Sequence, residues 1–141
     1  MERKIVIRIF FTALAVITAV LALVTGLSAD EPDGSSPEKI VEFLKDNGYS
    51  TAAPVTKEIT IPDEFSEVYE NYNKLQKEQG FDLSQYKGKS AVCYTFPVIG
   101  YINEKGEQED YVRANVLVCD GKIIGGDISS TRLDGFMKGI R

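Results

Sequence analysis

The sequence predicts an α+β fold, a four-stranded, mainly antiparallel sheet packed by two to three helices. Three observations lead there. Two stretches of the first half repeat apolar residues at helical spacing. Three later stretches alternate apolar and polar residues with period two, and Asp120-Gly121 is a tight-hairpin signal joining the last two. Strands grouped after helices, rather than alternating with them, favour an antiparallel sheet. The expected order is helix, strand, helix, three strands and a closing helix, with the helices on one face. A more strongly curved, cystatin-like grasp of the long helix is the alternative.

Ahead of this domain, Arg3, Lys4 and Arg8 precede an uncharged run of 19 residues, Ile9 to Leu27. A bilayer-spanning helix needs about 20 apolar residues. A basic flank keeps the N-terminus in the cytoplasm and sends the rest of the chain across. The segment from Met1 to Ala29 therefore reads as a transmembrane anchor or a signal peptide. Cleavage after Ala29 would place Leu27 where a small residue is preferred. Residues 30–36 read as a polar linker, and residues 37–141 as the extracytoplasmic domain.

The first helix of that domain is expected from Pro37 to Asn47. Ser36 is a good N-cap, Pro37 suits the first turn, and Asn47-Gly48 is a stop. Val55 to Ile61 alternates as a half-buried strand ended by Pro62. Asp63 can cap a second helix, Glu64 to Gln79, with Phe65, Val68, Tyr69, Tyr72, Leu75 and Gln76 on its inward stripe. Residues 81–89 read as an irregular connection. Strands follow at Ser90 to Ile99, Tyr111 to Cys119 and Lys122 to Ser129. The loop between the first two centres on Gly106. The closing helix is expected at Thr131 to Lys138.

Composition narrows the chemistry. Beyond the leader, 13 Lys and Arg stand against 20 Asp and Glu, a net charge of −7. Such a surface repels phosphate backbones and anionic headgroups, which argues against nucleic acid as a partner. The chain has no histidine, which removes the usual neutral-pH base and the commonest zinc ligand. Two cysteines are too few for a Cys-rich metal centre. No metal or cofactor site is expected.

The cysteines share a face. Cys93 and Cys119 both lie opposite the apolar stripes of their strands. If the hairpin centres near Gly106 they face each other, and a disulfide can form; a two-residue shift makes them diagonal neighbours. In an exported domain such a bond persists.

Four polar residues are candidates for a ligand site. Gly125-Gly126-Asp127 lies inside a strand. Strict alternation from the hairpin would point Asp127 into the apolar face, whereas a bulge at the glycines would turn Ile128 inward and Asp127 outward. Asp127 could then form a polar cleft where the strand meets the closing helix, with Asp134 nearby. Tyr72 and Gln76 sit on the inward face of the second helix, at the edge of a groove against the sheet. The acidic loop from Asn103 to Asp110 lacks the ligand alternation of a calcium loop.

The strings YENYNKLQKEQGFDLSQYKGK (Tyr69 to Lys89) and VRANVLVCDGKIIGGDISSTRLDGFMKG (Val112 to Gly139), with EFLKDNGY and ITIPDEF before them, resemble an uncharacterised bacterial family. It is catalogued as domain of unknown function 4830. The resemblance covers about Pro37 to Gly139. It implies a membrane-tethered or secreted domain of Gram-positive bacteria and carries over no catalytic residues. The expectation is a non-enzymatic, extracytoplasmic, membrane-tethered binding domain whose partner is a protein, a peptide or a cell-wall component. A carboxylate-dependent envelope enzyme and a cystatin-like inhibitor or assembly factor are the alternatives.

Overall fold

The structure is a computed structural model, and it describes residues 30–141. The expected anchor or signal, Met1 to Ala29, lies outside the described residues. No helix among the described residues is long and apolar enough to cross a membrane.

Helix α1 (Pro37–Asp46) starts where the sequence places it. The Ser36 hydroxyl accepts from the Lys39 N–H and Pro37 opens the first turn. Its Ile40 and Leu44 are fully buried. Gly48, at φ +92°, lets the chain leave the helix and turn back. Strands β1 (Ser50–Thr51) and β2 (Val55–Thr60) follow. Helix α2 (Glu67–Glu78) begins three residues later than expected. Its cap is Ser66, whose Oγ accepts from the Tyr69 N–H at 3.2 Å, not Asp63. A short 3-10 turn (Leu83–Tyr86) leads to β3 (Ser90–Ile99). A small hairpin, β4 (Tyr101–Ile102) and β5 (Gln108–Glu109), fills the loop around Gly106. Then come β6 (Val112–Cys119), β7 (Lys122–Ser130) and β8 (Met137–Lys138).

The main sheet has six strands rather than four. Its order is β1–β3–β6–β7–β8, with β2 also on β3, and all its pairs are antiparallel. The expected closing helix is absent. Thr131 to Gly135 forms a turn instead, in which the Gly135 N–H meets the Arg132 carbonyl at 3.0 Å. Met137 and Lys138 pair with Ser129 and Ile128. A single isolated helical turn or two nucleates poorly, and a Gly at its middle weakens it further. The open edge of β7 offers backbone partners, and the edge wins.

Helices cover both faces of the sheet, not one. Ile40 and Leu44 of α1 pack with Phe96, Val112, Ala114, Val116, Val118, Ile123 and Ile128. On the opposite face, Phe65, Tyr69 and Tyr72 of the α2 region pack with Ala91, Leu117, Cys119 and Ile124. The split follows strand parity: Tyr94, Val116 and Gly126 stand in one row, and Thr95, Asn115 and Asp127 in the next. A bulge makes both faces usable. Val118 faces Ile123 and Leu117 faces Gly125, so Ile124 is the extra residue. Ile123 and Ile124 are thereby both buried, on different faces.

Residues 30–36 are not a free linker. The Ile123 N–H donates to the Pro32 carbonyl at 2.8 Å and the Gly34 N–H donates to the Gly121 carbonyl at 2.9 Å. Asp33 forms an isolated bridge with Lys122. A Cβ on Gly34 would lie 3.0 Å from Ile123 and 3.1 Å from Val118. The compact unit accordingly begins at Glu31.

Candidate functional site

The most deeply buried side chains of helix α2 are polar. Its fully buried positions are Asn73 and Gln76, and Gln79 beyond its end is 6% exposed. Val68, expected inside, is 79% exposed. Each buried polar group therefore needs a partner, and the partners define the site.

Asp127 is 3% exposed. Tyr72 donates its phenol proton to Asp127 Oδ1 at 2.8 Å, and Asn115 Nδ2 donates to Oδ2 at 3.0 Å. Thr95 in turn donates to Asn115 Oδ1 at 2.9 Å, and Ser129 Oγ lies 3.3 Å from Asn115 Nδ2. The bulge turns Asp127 away from Ile128 into the α2 face, where the helix roofs it. Burial pushes the Tyr72 phenol far above its ordinary range, and the Asp127 charge and hydrogen bond push it further. Tyr72 is a fixed donor at neutral pH.

One turn along, two glutamines complete the edge of β7. The Gly126 N–H donates to Gln76 Oε1 at 2.7 Å. Gln79 Nε2 donates to the Gly126 carbonyl at 3.0 Å while Gln79 Oε1 accepts from the Ile140 N–H at 2.6 Å. Gly126 and Ile128 point their backbone groups to the same edge, and β8 reaches only Ile128 and Ser129. The Gln79 amide stands between Gly126 and Ile140 as a peptide unit would. The glycine pair makes room for this. A Cβ on Gly125 would sit 2.8 Å from Gln76 Oε1, and one on Gly126 2.4 Å from the Asn115 carbonyl oxygen. Asn73 closes the other end, donating to Asp82 Oδ1 at 3.0 Å and accepting from the Leu83 N–H at 2.8 Å.

The structure thus brings Tyr72, Gln76 and Asp127 together and leaves Asp134 out. Asp134 is exposed on the turn before β8 and lines a different cavity, with Arg132 and Lys105. Above the buried network, Tyr72 also lines a cavity of about 470 Å³ with Val68, Tyr69, Asn71, Leu75 and Met137. The Tyr69 and Tyr72 rings meet edge to face at 6.1 Å. Tyr72 is the one residue shared by the network and the groove.

Cys93 pairs with Leu117, so Cys119 is its diagonal neighbour. Diagonal neighbours lie about 7–8 Å apart, beyond the usual span of a disulfide. Both thiols are free, and the bond the facing register would allow is not formed. Burial raises the pKa of both, which makes them poor nucleophiles; Thr95 partly opposes this at Cys93. Among the described residues no group of three or more Cys, Asp or Glu is placed to hold a metal ion.

Sequence reasoning missed Thr95, Asn73, Gln79 and Asn115. The last had a signal: it is a lone amide within VRANVLVC, and a one-residue bulge in the hairpin sets it opposite Asp127.

A family model described as a domain of unknown function (DUF4830) matches residues 43–128. That span contains Tyr72, Gln76, Asn115 and Asp127 and excludes Asp134. No curated protein and no solved structure matches the chain.

Proposed function

We propose, for a chain that belongs to the family described as domain of unknown function (DUF4830), a non-enzymatic binding module tethered outside the cytoplasm by its N-terminal apolar segment. Its ligand is an apolar side chain or short apolar segment of a protein partner, taken into the groove between α2 and β8. One observation carries the reading: Tyr72 lines the groove with its ring while its hydroxyl is fixed to buried Asp127. The groove wall is therefore set before a ligand arrives, which lowers the ordering cost of binding. Val68 and Met137, 79% and 56% exposed, flank it and gain from being covered. Burying one large apolar side chain contributes about 1.5–3 kcal/mol.

In this reading Tyr72 contacts the ligand, while Asp127, Asn115 and Gln76 position the helix. The enzyme reading has less support. Both Asp127 oxygens already accept hydrogen bonds under the helix, and Asp134 lies at another cavity. A cystatin-like inhibitor has less support as well, because helices lie against both faces of the sheet.

The test is site-specific photo-crosslinking of the full-length chain in the cells that make it. A crosslinker at Val68 or Met137 should capture one defined envelope protein. The same group at Val55, 73% exposed on β2, is the control. Equal capture from Val55, or none from the groove positions, rejects the groove. Protease added to intact, wall-stripped cells should digest the domain; protection rejects the compartment.

A further inference from the structure

Strand β8 ends the sheet, and its outer edge has no neighbour among the described residues. The pairing with β7 fixes which backbone groups that edge shows. The Ser130 N–H donates to the Phe136 carbonyl at 3.0 Å, so these two form a hydrogen-bonded pair. Bonded and non-bonded pairs alternate along an antiparallel ladder. Met137 and Ser129, the next pair, are therefore non-bonded. The Met137 N–H and C=O both point outward, and no group among the described residues meets them. An unpaired donor and acceptor on a sheet edge are a template for another strand.

The side chains are arranged about the same point. Met137, 56% exposed, lines the groove with Val68 and Tyr72. Phe136 and Lys138 lie on the other face, where the Lys138 ammonium sits 5.9 Å from the Phe136 centroid and 5.1 Å from that of Tyr101. Gly135 and Gly139 flank the three. A two-fold axis at Met137 would set Met137 against Met137, Phe136 against Lys138, and glycine against glycine. No like charges meet, and each ammonium gains the aromatic ring opposite it. This match to itself singles out a second copy among the strands that could add to the edge.

We infer, on the reading of the groove as a docking site, that its occupant is a second copy of this chain, joined by an antiparallel β8–β8 pair centred on Met137. The two Met137 residues exchange both hydrogen bonds. The partner's Met137 then lies beside Met137 in the groove, so each copy supplies part of the other's site. The interface is isologous and closes at two copies. The paired edge is short, and tethering both copies to one membrane raises their effective concentration.

The experiment uses the full-length chain in membranes of the cells that make it, as two co-expressed, differently tagged copies. Oxidation with copper phenanthroline should join Met137→Cys into a disulfide-linked dimer, because directly opposed residues reach disulfide geometry. Lys138→Cys, opposite the partner's Phe136, should give only the background of the unsubstituted chain, which keeps Cys93 and Cys119. A photo-crosslinker at Val68 should capture the other tagged copy. Met137→Pro removes an outward N–H and no bond to β7, and an edge strand tolerates proline there. It should abolish that capture at an unchanged urea midpoint. Met137→Lys should abolish it too, by setting like charges opposite each other, and pairing it with Met137→Glu should restore it. Equal linkage at Met137 and Lys138, capture that persists in either Met137→Pro or Met137→Lys, or capture of a different protein alone overturns the dimer; in the last case the groove itself stands. No capture from Val68 rejects both.

Discussion

Tyr72 has two tasks in one side chain, and its substitution separates them. Tyr72→Phe keeps the ring in the groove but leaves Asp127 Oδ1 without its donor. Stripping a buried acceptor costs about 1–3 kcal/mol. The expected result is a lower urea midpoint at unchanged slope, while groove crosslinking from Val68 survives. The same residue sets an alkaline limit. The folded state raises the Tyr72 pKa, first by burial and then by Asp127. A group raised on folding contributes fully below its unfolded pKa, about 10 for tyrosine, and less as the pH climbs beyond it. Stability should therefore hold up to about pH 10 and fall above it. The fall should be shallower in Tyr72→Phe, and not abolished, because Tyr69 and Tyr86 are raised as well. Unfolding curves across that range check the sign. The cysteines belong to this scale too. Their positions on one face are legible from parity, but the two-residue offset that keeps them apart is set by the hairpin between β3 and β6, which sequence spacing alone does not fix.

Among the elements, α2 and the bulged β7 form one unit. The helix lends β7 two amide groups where a neighbouring strand is missing, and β7 answers with two glycines. This makes the glycine pair unequal. At Gly126 an added Cβ meets backbone, the Asn115 carbonyl at 2.4 Å, and Ile140 Cδ1 at 2.6 Å. At Gly125 it meets first the end of the Gln76 side chain, at 2.8 Å. Gly126→Ala should therefore cost at least the usual 1–3 kcal/mol or so of overpacking, and more than Gly125→Ala. Chemical denaturation of the pair checks the order. The start of α1 and the three long strands were legible because caps and alternation are local, whereas the cap of α2 is Ser66 and not Asp63. The closing helix was misread because a hairpin competes with it: Met137 and Lys138 fold back onto Ser129 and Ile128, where β7 has a free edge. The inward stripe of α2 was misassigned in part. Gln76 is buried as expected, but Val68 is exposed and Asn73 is buried in its stead, because Asp82 and the Leu83 N–H of the following turn partner the Asn73 amide.

At the scale of the whole molecule, residues 30–36, expected to be a linker, are part of the fold. Removing residues 30–35 would strand the Ile123 N–H and the Gly121 carbonyl. A chain starting at Ser36 should be less stable than one starting at Asp30 by about 1–3 kcal/mol, read from urea midpoints. The amino-acid sequence by itself determined the membership of the family, the α+β class and the absence of histidine chemistry, because each depends on residue type or short-range order. It also singled out Tyr72, Gln76 and Asp127. The tertiary structure decided that these three meet, that Asp134 stands apart, and that helices cover both faces of the sheet. The first of these turns on one inserted residue, Ile124, which reverses which way every later side chain of β7 points. A strand has a period of two, so a single bulge exchanges buried for covered-on-the-other-side, and only the packed partners reveal where it falls.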